Sequence, residues 1–223
     1  MLTRHTISSC AELITYIDLI GFLPLLHNGI YSWSAEDALI PNCGYTTLPD
    51  GGWEWPLWEW KADIIKESGC AYGKFILGKA CFISRHWWPD FCNYRRSIAP
   101  SITEGSIEEM ILLTLQENGS MTTRELRAAC GFTQPNMRGK FDTYIRRLEQ
   151  SCRIVTEDFV YPTDKRGNRY GWGWSLLTTP ERLLGKQACF AERTPEESLQ
   201  RMVQHFKTFM PDTYEMCIVK LLS

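Results

Sequence analysis

The pattern of apolar and polar positions divides the chain into helical stretches, two alternating segments and a charged turn. In SSCAELITYIDLIGFLPLL, Leu13, Ile14, Ile17 and Ile20 recur at helical spacing. Ser9 is placed to cap this helix with Glu12 three residues on, and Gly21 ends it. Residues 28–52 are rich in Gly, Pro, Asn and Ser and predict an ordered loop. A helix from about Leu57 to Glu67 follows, then a β-hairpin in CAYGKFILGKACFIS that turns near Leu77–Gly78. The aromatic segment HWWPDFCNYRR predicts a short helix after Pro89.

Residues 97–106 (SIAPSITEGS) read as a linker. Beyond it lie three helix signatures. Ser106 and Glu109 form a capping box for the first, and Asn118–Gly119 terminates it. Thr122 and Glu125 cap the second, which Gly131 ends. Thr133 and Pro135 mark the start of the third, where Met137, Phe141, Tyr144, Ile145 and Leu148 share a face. A two-stranded hairpin follows in RIVTEDFVYPTDKRGNRYGWGWSLL, with a final strand that includes Tyr170–Trp174. Three helices running into a charged hairpin predict a winged helix-turn-helix. After it come a short helix from Thr179–Pro180 to Gly185 and a longer one from Thr194 to about Phe209. The expected fold is α+β, with an aromatic-rich region at 1–100, a winged helix at 101–178 and C-terminal helices at 179–223.

Composition adds charge polarity to this picture. Net charge is −2, yet residues 1–60 carry one Lys/Arg against seven Asp/Glu, and residues 121–170 carry ten against six. Such polarity can orient a protein on a polyanion. The nine cysteines form no CxxC pair, and His5, His27, His86 and His205 do not cluster with them. Buried free thiols in a reducing compartment are therefore expected, with no metal and no cofactor. The N-terminus lacks the apolar core of a signal peptide, and no apolar run reaches the ~18 residues of a membrane helix. The expected location is the cytoplasm.

The candidate nucleic-acid contacts are cations away from the apolar faces. Arg138, Lys140, Arg146 and Arg147 lie on the third helix, and Lys165, Arg166 and Arg169 on the hairpin tip. Arginine grips phosphate or guanine bidentately and lysine acts as a point charge, so duplex DNA is the expected partner. A solvated basic surface or a protein-interaction module has the same pattern. Trp53, Trp55, Trp58 and Trp60 fall within eight residues. They form either a dense core or a platform for nucleobases, core being the ordinary outcome. Glu54 and Glu59 lie among them, and Asp18 lies in an apolar helix. A carboxylate among indoles tends toward a raised pKa that suits acid–base work, or serves simply as a hydrogen-bond partner. No GxSxG, Walker loop, HExxH or dinucleotide fingerprint is present.

Residues 53–61 (WEWPLWEWK), 70–96 (CAYGKFILGKACFISRHWWPDFCNYRR) and 170–181 (YGWGWSLLTTPE) resemble the bacterial AlkZ-related proteins. These are similar in turn to winged-helix DNA glycosylases of the AlkZ/YcaQ type. That link implies a DNA-repair role: hydrolysis of the bond between an alkylated or crosslinked base and its sugar, without a metal. The glycosylase signature is Gln-x-Gln or Gln-x-Asp near the N-terminus, and this chain departs from it. Tyr16-Ile17-Asp18 occupies the corresponding place, so Asp18 matches the second position and is the candidate for orienting a water.

Overall fold

Local sequence signals place most of the elements. In a computed structural model describing residues 2, 4–30, 32–49, 52–137 and 139–223, α1 (Cys10–Ile20) starts where the Ser9 side chain accepts the Glu12 amide and stops at Gly21. The chain then enters β1 (Phe22–Pro24), buried along its length. The expected loop holds short elements: α2 (Ala35–Ala38), a 3-10 turn at Pro41–Cys43, and β2 (Thr46–Thr47) paired with β3 (Trp53–Glu54). α3 (Pro56–Ser68) follows, with Pro56 in the first turn, where its missing N–H costs nothing.

The hairpin β4 (Ala71–Ile76) and β5 (Lys79–Ile83) forms at the predicted turn, and β1 extends it to an antiparallel sheet ordered β1-β5-β4. Both turn residues have positive φ, Leu77 at 53° and Gly78 at 67°, the pairing a two-residue hairpin of native twist requires. α4 (Trp88–Ile98) runs to the irregular segment at 99–106.

The next stretch comprises α5 (Ile107–Asn118), β6 (Met121–Thr122), α6 (Thr123–Ala129), α7 (Phe141–Gln150), β7 (Val155–Val160) and β8 (Trp174–Thr178). Its three strands form an antiparallel sheet ordered β6-β8-β7. Two boundaries differ from expectation. α7 begins at Phe141, six residues after Pro135. Residues 131–137 and 139–140 form turns and bends instead, with Met137 N donating to Gln134 O and Lys140 N to Met137 O. Pro135 offers no amide, and Asn136 and Gly139 are weak helix formers, so no helix propagates until Phe141 is buried. The final strand starts at Trp174, not Tyr170, because Gly171 and Gly173 bend the chain at φ of 71° and 75°.

The C-terminal part contains α8 (Pro180–Leu183), a 3-10 turn at Lys186–Cys189, α9 (Pro195–Phe209) and α10 (Glu215–Leu222). α10 was not anticipated: Tyr214 and Met216 are each 80% exposed, which blurs its apolar periodicity. Buried side chains gather in two clusters. The larger joins α1, the β1-β5-β4 sheet, α3, α4, α9 and α10, and reaches Cys152 and Val155. The smaller is built around Ile111, Leu115, Phe132, Phe141, Ile145 and Leu177.

Polar groups tie the two together. Buried Arg95 of α4 donates to Phe75 O at 3.2 Å and to Gln150 O at 2.6 Å, and Arg96 Nη2 donates to Cys152 O at 2.7 Å. No helix among the described residues is long and apolar enough to cross a membrane.

Candidate nucleic-acid interface

The tryptophans of residues 53–60 are neither sealed in the core nor spread as an open platform. Trp55, Trp58 and Trp60 are half-buried against the larger core, and Trp53 is 41% exposed. Trp53, Trp55 and Trp58 cluster with Trp172, which arrives from the hairpin that carries the basic tip. Trp172 stacks on Trp53 with centroids 5.3 Å apart, and meets Trp55 and Trp58 edge-on at 6.2 Å and 5.4 Å. Trp55 and Trp58 stack on each other at 5.0 Å. Aromatic pairs in these geometries add about 0.5–1.5 kcal/mol each beyond area burial. The ring cluster thus fastens the hairpin to α3.

A pocket of about 590 Å³ opens beside this cluster. Trp53, Trp55, Glu54 and Glu59 line one side, and Tyr161, Arg169 and Tyr170 the other. The volume falls within the ~300–1,000 Å³ usual for small-molecule sites. Among the described residues no donor or cation is paired with the side-chain carboxylate of Glu54 or Glu59. The Trp55 indole N–H is sealed from solvent without an acceptor. The Tyr170 ring is 58% exposed.

Behind the pocket wall lies a fully buried cation. Lys61 Nζ sits 3.1 Å from the Trp58 ring centroid and 4.2 Å from that of Phe159, and donates to Tyr161 Oη at 3.4 Å. Burial lowers the Lys61 ammonium to about 7, against the opposing pull of Glu59. Burial and the same Glu59 charge raise the Tyr161 phenol. The Glu59 carboxylate therefore acts on both groups.

The predicted cations divide by location. Lys165 and Arg166 are exposed on the hairpin tip, where Asp164 holds the turn by accepting the amides of Arg166 and Asn168 at 2.8 Å and 2.9 Å. The Asn168 amide, with that of Arg166, keeps the Asp164 carboxyl below its usual range. Arg169 instead turns back to the pocket, its guanidinium 5.2 Å from the Tyr161 ring centroid. Lys140 is exposed just before α7. Arg146 is exposed but lies against the β4–β5 turn, where a Cβ on Gly78 would be 3.4 Å from its Cδ. Arg147 faces away, paired with Glu108 at 3.6 Å beside a cleft of about 610 Å³ between residues 98–106 and α7. Arg138 lies outside the described residues. Asp18 is exposed in the last turn of α1 and is not among the residues lining the aromatic pocket.

The C-terminal half of α7 is docked on β4. Glu149 is 4% exposed, and a Cβ on Gly73 would lie 3.3 Å from its Oε1. Burial raises its carboxyl to about 7, opposed by the charge and backbone amide of Lys74.

Sequence reasoning did not foresee the parts played by Lys61, Tyr161 and Trp172. Lys61 follows Trp58 by three residues, a same-face helical spacing. The Gly–aromatic alternation of YGWGW was the one hint that Trp172 has a docking partner.

The molecule is thus an α+β protein in which an acidic, tryptophan-rich region meets a basic hairpin at an aromatic pocket. Residues 7–223 match the family described as AlkZ related, and the chain belongs to that family. No curated protein and no solved structure matches it.

Proposed function

We propose that the protein binds duplex DNA through a winged helix at residues 101–178, in a DNA-repair role consistent with its AlkZ-related membership. The observation that carries this reading is the order of parts. Helix, short strand, two helices and a hairpin follow in sequence, their sheet is ordered β6-β8-β7, and the hairpin tip exposes Lys165 and Arg166. A helix-turn-helix of this kind uses the N-terminal end of its last helix on DNA, where Lys140 stands exposed. Docking on β4 covers the other end of α7. The division at 1–100, 101–178 and 179–223 is part of the same proposal, supported by the separate small core of the central unit.

Fluorescence anisotropy on a short labelled duplex tests the reading. Affinity should fall steeply with salt, with a log–log slope of about −0.9 per neutralised phosphate. Binding that is absent at low salt, or insensitive to salt, overturns it.

Base excision is a separate activity with a separate readout. Release of free base from an alkylated duplex, abolished in Asp18→Asn, would place a water-orienting carboxylate on α1. The absence of release across a panel of lesions would leave binding alone.

A further inference from the structure

The aromatic pocket carries a feature that phosphate binding does not use. Two exposed carboxylates, Glu54 and Glu59, line a ring-walled cavity, and no donor among the described residues is paired to either. An ionised carboxylate is acceptor-only and can take two parallel hydrogen bonds. A ligand that replaces the water on such a carboxylate does so best if it is flat enough to lie among rings and presents two adjacent donors.

We propose that this pocket binds an unpaired guanine base. Guanine alone among the DNA bases has two neighbouring donors on its Watson–Crick edge, N1–H and the N2 amino group. Adenine and cytosine would set a ring-nitrogen lone pair against the carboxylate, and thymine two carbonyls. Glu59 is the bidentate acceptor, and its charge already acts on Tyr161 within the pocket. Tyr170, exposed and without a ring partner among the described residues, supplies the stacking surface. Arg169 at the pocket wall is placed for the adjoining phosphate. Bases splayed from a strand are read in this way, by stacking plus hydrogen bonds to the Watson–Crick edge.

The inference builds on the DNA-binding reading but fails separately from it. Anisotropy with labelled nine-residue oligothymidylates carrying one central dG, dA or dC is the test, with GMP as competitor. The dG strand should bind about tenfold more tightly than the dA or dC strand at equal salt, the discrimination of one bidentate pair. Glu59→Gln should bring dG to within about twofold of dA, since an amide offers one acceptor and one donor. Tyr170→Ala should weaken all three strands by roughly tenfold, the cost of one lost stack. Unchanged melting temperatures would show that both variants fold. Competition by GMP equal to that by the dG strand assigns free nucleotide as a ligand, and competition only by the strand assigns nucleic acid. Equal affinity for dG, dA and dC, or a dG preference that survives Glu54→Gln/Glu59→Gln, overturns the proposal. Salt-sensitive duplex binding with no guanine preference would sink this inference alone. Guanine preference without duplex binding would sink the duplex reading alone.

Discussion

The Lys61 ammonium lies 3.1 Å from the centroid of the Trp58 ring, in a site with no exposure to solvent. A buried ammonium is costly unless paired, and here it meets the Trp58 and Phe159 ring faces and the Tyr161 phenol, with the Glu59 charge acting on it. The relationship makes a residue just behind the aromatic pocket titratable near neutrality.

Lys61→Met should stabilise the protein most at low pH. Burial brings the folded-state ammonium to about 7, below its value of 10.5 when unfolded. Between those values the unfolded chain binds the extra proton, so parental stability rises with pH and is lowest below about pH 7. Thermal unfolding at pH 6 and pH 10 checks the sign. The variant's gain in Tm should be several degrees at pH 6 and should shrink by pH 10. A gain independent of pH would remove Lys61 as the titrating group.

Glu149→Gln should show the opposite pH dependence. The folded carboxyl is raised to about 7 by burial against β4, with Tyr72 and Lys74 facing it. Its contribution is therefore full below about pH 4.5 and lost as pH rises through about 7. The variant should match the parent near pH 5 and exceed it at pH 8.5 by on the order of 2–3 kcal/mol. Equal stability differences at both pH values would contradict a buried neutral carboxyl.

The exposed and the paired cations should separate in DNA binding. Replacing Lys165 and Arg166 together by alanine should lower the salt slope by about 2 and weaken binding uniformly across sequences. Arg147→Ala should change the slope by less than about 0.5, because Arg147 pairs with Glu108 away from the hairpin. The reverse ranking would move the interface to the cleft beside residues 98–106.

Gly173→Ala should loosen the hairpin's docking. Its φ of 75° disfavours any side chain, and the added Cβ would stand 3.1 Å from the Tyr161 ring. A loss of about 1 kcal/mol or more is expected. A weakened near-ultraviolet dichroism signal from the Trp53–Trp172 stack should accompany it. Full retention of that signal would show that Tyr161 yields without cost.

Short-range chemistry made much of this fold legible. Ser9, Ser106, Thr122 and Thr194 each cap a helix through the residue three positions on, and all four caps form. The Leu77–Gly78 turn was readable because few sequences tolerate two successive positive φ values. The late start of α7 was less readable, since Met137 continues an apolar spacing although the turns at 131–137 are not helical. The candidate site was legible in part. Its acidic and aromatic residues are crowded into WEWPLWEWK, but their partners Tyr161, Arg169, Tyr170 and Trp172 lie about a hundred residues away.

The sequence by itself determined most of the longer helices and strands, where most of them stop, and which family the chain resembles. Capping bonds, turn dihedrals and apolar period act over a few residues, so they are written locally. Tertiary structure alone decided that Trp172 lies on Trp53, that Lys61 is buried, and that Arg147 turns to Glu108 while Arg169 turns to the pocket. Those outcomes depend on how the hairpin packs against α3 and how α7 docks on β4. No local pattern encodes the direction in which a side chain on one unit meets a surface supplied by another.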